Sequence, residues 1–119
     1  MLAAFRGKSA EQAARRFLES KGLIYVANNV RLADGELDLV MTDGQHLVFV
    51  EVRFRKRDGL VSPSESIDPR KQRRLINAAT AYLQKHRQWQ HHFSRFDILS
   101  MTQNSEGYEY QWLKNALST

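Results

Sequence analysis

Apolar and polar positions along this chain change period several times, and each change marks an element. Ala10, Ala13, Ala14, Phe17 and Leu18 recur at helical spacing between Ser9 and Lys21, and Gly22 supplies a natural stop. Residues 23–26 (Leu-Ile-Tyr-Val) form a short strand. The segments GELDLV (35–40) and VFVEVRFR (48–55) then alternate with period two. They flank Thr42-Asp43-Gly44-Gln45, and an Asp-Gly pair between two alternating runs predicts a hairpin. Residues 56–67, with one Gly, one Pro and three Ser, predict a mobile loop. Asp68-Pro69 opens a second helix, an N-cap acceptor followed by proline at the first helical position, running to about Arg87. Two more strands follow, 93–102 and 108–113, split by a turn at Asn104-Ser105-Glu106-Gly107. The order is α-β-β-β-α-β-β, an α/β chain of the α+β kind with a mixed sheet. Residues 1–119 form one domain, frayed at 1–7 and 115–119.

The acids in the hairpin are out of place for so apolar a pair of strands. With Asp43-Gly44 as the central turn residues, Val40 faces Leu47, Asp38 faces Phe49 and Glu36 faces Glu51. Side chains alternate faces along a strand, so Glu36, Asp38, Glu51 and Arg53 share one side of the sheet. A four-residue loop keeps that parity; a three-residue loop would separate the acids. Like charges facing each other destabilise a strand pair. A hard cation with oxygen ligands, Mg²⁺ or Mn²⁺, would relieve the conflict; the competing reading is a partly buried ion pair with Arg53. On the second helix, Lys71, Leu75, Ala78, Ala79, Tyr82, Leu83 and His86 fall within an arc of about 140° that faces the sheet. Arg70, Arg73 and Arg74 lie outside it. Lys71, at the edge of the inward stripe, can lay its methylenes on apolar surface and carry its ammonium toward the sheet.

Charge sharpens this picture. Residues 53–74 hold eight basic and three acidic residues, which accounts for the whole net charge of +5; the other 97 residues carry ten of each. The positive patch begins where the acidic cluster ends, as a metal-dependent enzyme acting on a polyanion would need. A solvated, solubilising surface is the bland alternative. The chain has no cysteine, so disulfides and thiolate zinc sites are excluded. No apolar run approaches the ~20 residues of a membrane helix, and the opening Met1-Leu2-Ala3-Ala4-Phe5 is too short for a signal-peptide core of ~7–15 residues. A cytoplasmic protein without membrane contact is expected.

Gly7, Glu11 and Ala14 in the first helix, then Asn29, GELDLV, VFVEVRFR, Asp68-Pro69-Arg70-Lys71-Gln72 and Arg95-Phe96-Asp97, closely resemble the bacterial YraN family over roughly residues 7–113. That family is similar to the restriction-endonuclease-like superfamily and to archaeal Holliday junction resolvases, whose signature is an acid, a second acid a strand later, and E-x-K. The resemblance implies a restriction-endonuclease-like core. It makes Asp38 the first strand acid, Glu51 the second and Glu11 a helix carboxylate completing a metal site. Arg53 stands where the signature has lysine. An arginine cannot be deprotonated in a protein, so it cannot serve as a base, although it can position a phosphate or stabilise developing charge. Lys71 is the alternative holder of that role.

The expected function is therefore Mg²⁺- or Mn²⁺-dependent hydrolysis of structured, branched DNA. Glu11, Asp38 and Glu51 would hold the metal, and Arg53 or Lys71 would act on the phosphate. Arg55, Lys56, Arg57, Arg70, Arg73 and Arg74 would grip the nucleic-acid backbone. Resolvases of this fold are dimers, so a homodimer is the corresponding extrapolation. The alternative is a degenerate nucleic-acid-binding or adaptor protein using the basic patch alone. Arg95 and Asp97 share a strand face and read as a structural ion pair. Tyr108, Tyr110 and Trp112 read as core packing rather than a base-stacking platform. His91-His92 lacks the partners a zinc site needs.

Overall fold

The computed structural model describes residues 2–55 and 68–117, with side chains from residue 9 onward. Helix α1 spans Leu2–Ser20 and takes in residues 2–7, which the sequence reading leaves frayed. Strands β1 (Ile24–Leu32), β2 (Gly35–Thr42) and β3 (His46–Arg55) precede helix α2 (Pro69–Lys85). A short 3₁₀ turn, Arg87–Trp89, leads to β4 (Phe93–Asn104) and β5 (Gly107–Leu113). The expected order of helices and strands holds.

The five strands lie in sequence order in one mixed sheet. All neighbours are antiparallel except β3 and β4, which run parallel over ten residue pairs, with α2 as the crossover between them. The helices cover opposite faces. Ala10, Ala14 and Leu18 of α1 pack with Leu39, Met41, Val48 and Val50. Leu75, Ala78, Ala79 and Tyr82 of α2 pack with Val40, Leu47, Phe49 and Phe96. Alternation along β2 and β3 thus sends Asp38, in phase with Val40, and Glu51, in phase with Phe49, to the α2 side.

Several boundaries differ from expectation for local reasons. Strand β1 runs on to Leu32 through Asn28-Asn29. A bulge between Tyr25 and Ala27 and a left-handed Asn29 (φ 51°) absorb the irregularity without ending the ladder. The C-terminal residues 115–117 are packed rather than frayed. Asn115 N–H donates to Asp97, Ala116 N–H donates to the Phe96 carbonyl at 2.7 Å, and Leu117 is buried against the α2 face. Helix α2 begins as expected, with Asp68 Oδ1 accepting the Lys71 N–H at 2.8 Å. The expected loop at 56–67 lies outside the described residues.

The β2–β3 register also departs from expectation, by two residues. Leu39 faces Val50, Val40 faces Phe49 and Thr42 faces Leu47. Asp43 therefore follows the end of β2 at Thr42, opposite His46, and is not a central turn residue. Its backbone N–H reaches the His46 carbonyl, and its Oδ1 accepts the N–H groups of Gln45 (2.9 Å) and His46 (2.7 Å). Gly44, at φ +95°, takes the conformation that favours glycine. The aspartate side chain closes the turn from outside and moves its centre one residue along.

Candidate metal and phosphate site

The shifted register changes which acids meet. Continued by one pair, it sets Asp38, not Glu36, across from Glu51. The β2–β3 ladder stops at that point. Beyond Leu39–Val50, β2 stays paired with β1 and β3 stays paired with β4, so the sheet forks between them. Asp38 stands in the fork. Its Oδ2 accepts the Val52 N–H at 2.9 Å, in place of a ladder carbonyl. The acidic pair thus sits where two strands part and α2 crosses above.

Electrostatics at the fork are unbalanced for Asp38. Burial, with the neighbouring charge of Glu51 next in weight, pushes its carboxyl up to about 7. Glu36 adds to the rise, while the Val52 N–H and the Lys71 charge oppose it. Glu51, only 9% exposed, is paired differently: Lys71 Nζ lies 3.0 Å from its Oε1, and Arg53 Nε lies 3.9 Å from the same oxygen. Lys71 does reach the sheet from the first turn of α2. Glu36 is exposed and faces Arg31 across β1–β2.

An open cleft of about 300 Å³ leads to this point, lined by Gly35, Glu36, Asp38, Glu51, Lys71, Arg74 and Leu75. Its lining is mainly charged, three acids and two bases beside Gly35 and Leu75, which suits an ionic ligand rather than an apolar one. Gly35 is a residue that the sequence reading missed. A Cβ there would come within 3.3 Å of the Arg74 carbonyl, so glycine lets α2 lie close to the start of β2. The isolated glycine opening an alternating run was the available signal. Arg70, Arg73 and Arg74 are exposed, as expected, and Arg74 borders the cleft. Arg55 is not exposed: its Nε and Nη2 are enclosed with no hydrogen-bond partner among the described residues. Lys56 and Arg57 lie outside the described residues.

Glu11 does not join the pair. It sits on α1, whose buried face packs against the opposite side of the sheet, and its Oε2 accepts the Asn29 side-chain N–H at 2.7 Å. Among the described residues no group of three or more His, Asp or Glu comes together to hold a metal. The expected three-carboxylate site is thus reduced to Asp38 and Glu51. Two carboxylates still suit Mg²⁺, which keeps several waters and commonly takes one or two protein carboxylates beside substrate phosphate. The conflict between Asp38 and Glu51 is the observation that fits a cation.

The remaining candidates are structural. Asp97 is 1% exposed and fully engaged, accepting from Arg95 Nε (3.1 Å), Trp112 Nε1 (2.9 Å) and Asn115 N–H (2.9 Å). Tyr110 stacks on Phe17 with ring centres 4.3 Å apart, and Tyr108 and Trp112 pack on the same cluster. Among the described residues no helix is long and apolar enough to cross a membrane.

A sequence profile of the uncharacterised protein family UPF0102 matches residues 10–101. A UPF0102 protein of Pseudomonas putida strain F1 is 46% identical over 111 residues, 92% of this chain and 90% of the relative. One from Stutzerimonas stutzeri strain A1501 is 42% identical over 113 residues, 95% of this chain and 94% of the relative. One from Coxiella burnetii strain RSA 493 is 42% identical over 111 residues, 93% of this chain and 90% of the relative.

Proposed function

The chain belongs to the uncharacterised protein family UPF0102, the YraN family, and we propose that it is a divalent-cation-dependent nuclease acting on structured, branched DNA. One observation carries the reading: Asp38, its carboxyl pushed up to about 7, stands beside Glu51 at the floor of an open cleft with basic residues at its mouth. A protein gains nothing in stability from two acids set against each other in a fork of its sheet. A ligand of opposite charge would make the arrangement favourable.

In this reading Asp38 and Glu51 hold Mg²⁺ or Mn²⁺. The cation would supply Lewis-acid charge to the phosphate and lower the pKa of an attacking water. Arg53, always charged, would offset the charge that develops on the phosphate oxygens as the new P–O bond forms and the old one breaks. Lys71 and Arg74 would hold the phosphate at the mouth. The exposed Arg70 and Arg73 extend that surface along the first turns of α2 and would bind backbone without reading sequence.

The direct test is cleavage of a four-way junction and a matched linear duplex with Mg²⁺ or Mn²⁺, using wild type, Asp38→Ala and Glu51→Ala. Wild-type cleavage should exceed that of either variant by roughly 100-fold, the upper end of what losing even an outer-shell support of a metal site costs. Equal cleavage by all three would assign the activity to a contaminant. A second reading, a binding or adaptor protein without hydrolysis, is favoured by Glu11 being engaged with Asn29 and Glu51 with Lys71. Such a protein would bind junction DNA with the same affinity whether or not Mn²⁺ is present.

A further inference from the structure

The Lys71–Glu51 pair is placed where it would compete with the cation that the proposed function requires. Lys71 Nζ and a divalent ion would both use Glu51, and Lys71 already lies 3.0 Å from Oε1, with Arg53 Nε also closest to that oxygen. The backbone of Lys71 is fixed, since its N–H is capped by Asp68 Oδ1 at the start of α2. Its side chain is not: it is 38% exposed and lines the open cleft, one helical turn from Arg74. The ammonium can therefore leave Glu51 for an anion at the mouth without moving the helix.

We propose that Lys71 is an internal counter-cation that couples metal binding to phosphodiester binding: it occupies Glu51 when the cleft is empty and transfers to the phosphate when the metal enters. This rests on the metal-binding reading above. The coupling is reciprocal by linkage. A phosphodiester that draws Lys71 away strengthens metal binding, and the metal that displaces Lys71 frees it for the phosphate by the same factor. Off its substrate, the chain would hold metal weakly. Arg74, which borders the cleft with no ion pair to Glu51 among the described residues, is the natural control for simple loss of positive charge.

The experiment is calorimetric titration of Mn²⁺ into the full chain as wild type, Lys71→Met and Arg74→Met, without and with a saturating phosphorothioate-linked oligonucleotide. Far-ultraviolet circular dichroism confirms that each variant is folded. Without oligonucleotide, Lys71→Met should bind Mn²⁺ about tenfold more tightly than wild type, within the ordinary range of coupling between sites. Arg74→Met should change it by less. The oligonucleotide should tighten Mn²⁺ binding to wild type by a larger factor than to Lys71→Met, in which only the direct metal–phosphate contact would remain. Measurable Mn²⁺ binding that is equal or weaker in Lys71→Met, or equally coupled to the oligonucleotide in both, overturns the counter-cation role and leaves the metal site standing. No Mn²⁺ binding by any variant overturns both.

Discussion

The two ends of the β2–β3 hairpin place aspartates in opposite electrostatic settings, only five residues apart. At the turn, Asp43 accepts two backbone N–H groups and faces His46 Nδ1 at 3.1 Å and Arg95 Nη1 at 3.4 Å. The backbone N–H groups of His46 and Gln45, with the His46 ring, outweigh its desolvation and bring its carboxyl down to about 2. At the fork, Asp38 has the Val52 N–H, sits beside Glu51, and is pushed up to about 7. Asp97, more deeply buried than either, has its hydrogen-bonding capacity met by Arg95, Trp112 and Asn115. Burial alone does not separate a structural acid from a functional one. What separates them is whether the fold itself supplies the compensating charge and donors.

The comparison is tested most severely at Asp97. Asp97→Ala would remove the buried acceptor shared by the Arg95 guanidinium, the Trp112 indole N–H and the Asn115 N–H, and should destabilise the chain by about 3 kcal/mol, the lower end of the usual cost of breaking a buried pair. Chemical denaturation measures it; a loss below about 1 kcal/mol would remove the distinction drawn above. Asp38 should behave in the opposite sense. The native state keeps the Asp38 proton up to about 7, whereas the unfolded chain releases it near 3.8. Between those values the unfolded chain binds fewer protons, so this residue makes stability fall as pH rises. Asp38→Asn keeps an acceptor for the Val52 N–H and removes the charge. It should stabilise the metal-free protein at pH 8 by on the order of 3 kcal/mol and change little at pH 4. Thermal unfolding across that range gives the answer, and a variant less stable than wild type at pH 8 would contradict it.

Much of this was legible in the sequence where local chemistry decides. Asp68-Pro69 fixed the start of α2, the inward stripe placed Lys71 over the sheet, and strand alternation put Asp38 and Glu51 on one face. The register was not legible. Asp43-Gly44 reads as a turn centre until its carboxylate is seen to close the turn from the strand end. The extent of β1 beyond Val26 was not legible, because the bulge after Tyr25 and the left-handed Asn29 interrupt the alternation that marks a strand. Glu11 came from family resemblance alone, and nothing in its own helix pattern shows which side of the sheet α1 covers. The fork belongs to the same class: where β2 leaves β3 depends on contacts between distant segments, to which sequence periodicity is blind.

Smaller effects sharpen the contrast at the turn and at the cleft. Asp43→Ala removes the acceptor that centres the turn and should cost about 1 kcal/mol in denaturant, with Asp38 titrating as before. An Asp38 carboxyl that moved with it would tie the two ends together. Gly35→Ala should cost less still, under about 1 kcal/mol, because the Arg74 backbone has only a few tenths of an ångström to yield. Its signature would be weakened Mn²⁺ binding, from displacement of α2 at the cleft. Unchanged binding would mean that the close approach at Gly35 serves packing only.

Anomalous diffraction from a crystal soaked in Mn²⁺ examines the fork most directly. The expected map holds one peak within about 2.3 Å of a carboxylate oxygen of Asp38 and of Glu51, with Lys71 Nζ moved off Glu51. A well-occupied Mn²⁺ elsewhere on the molecule, with the fork empty and Lys71 still on Glu51, would mean that these two acids are not a metal site.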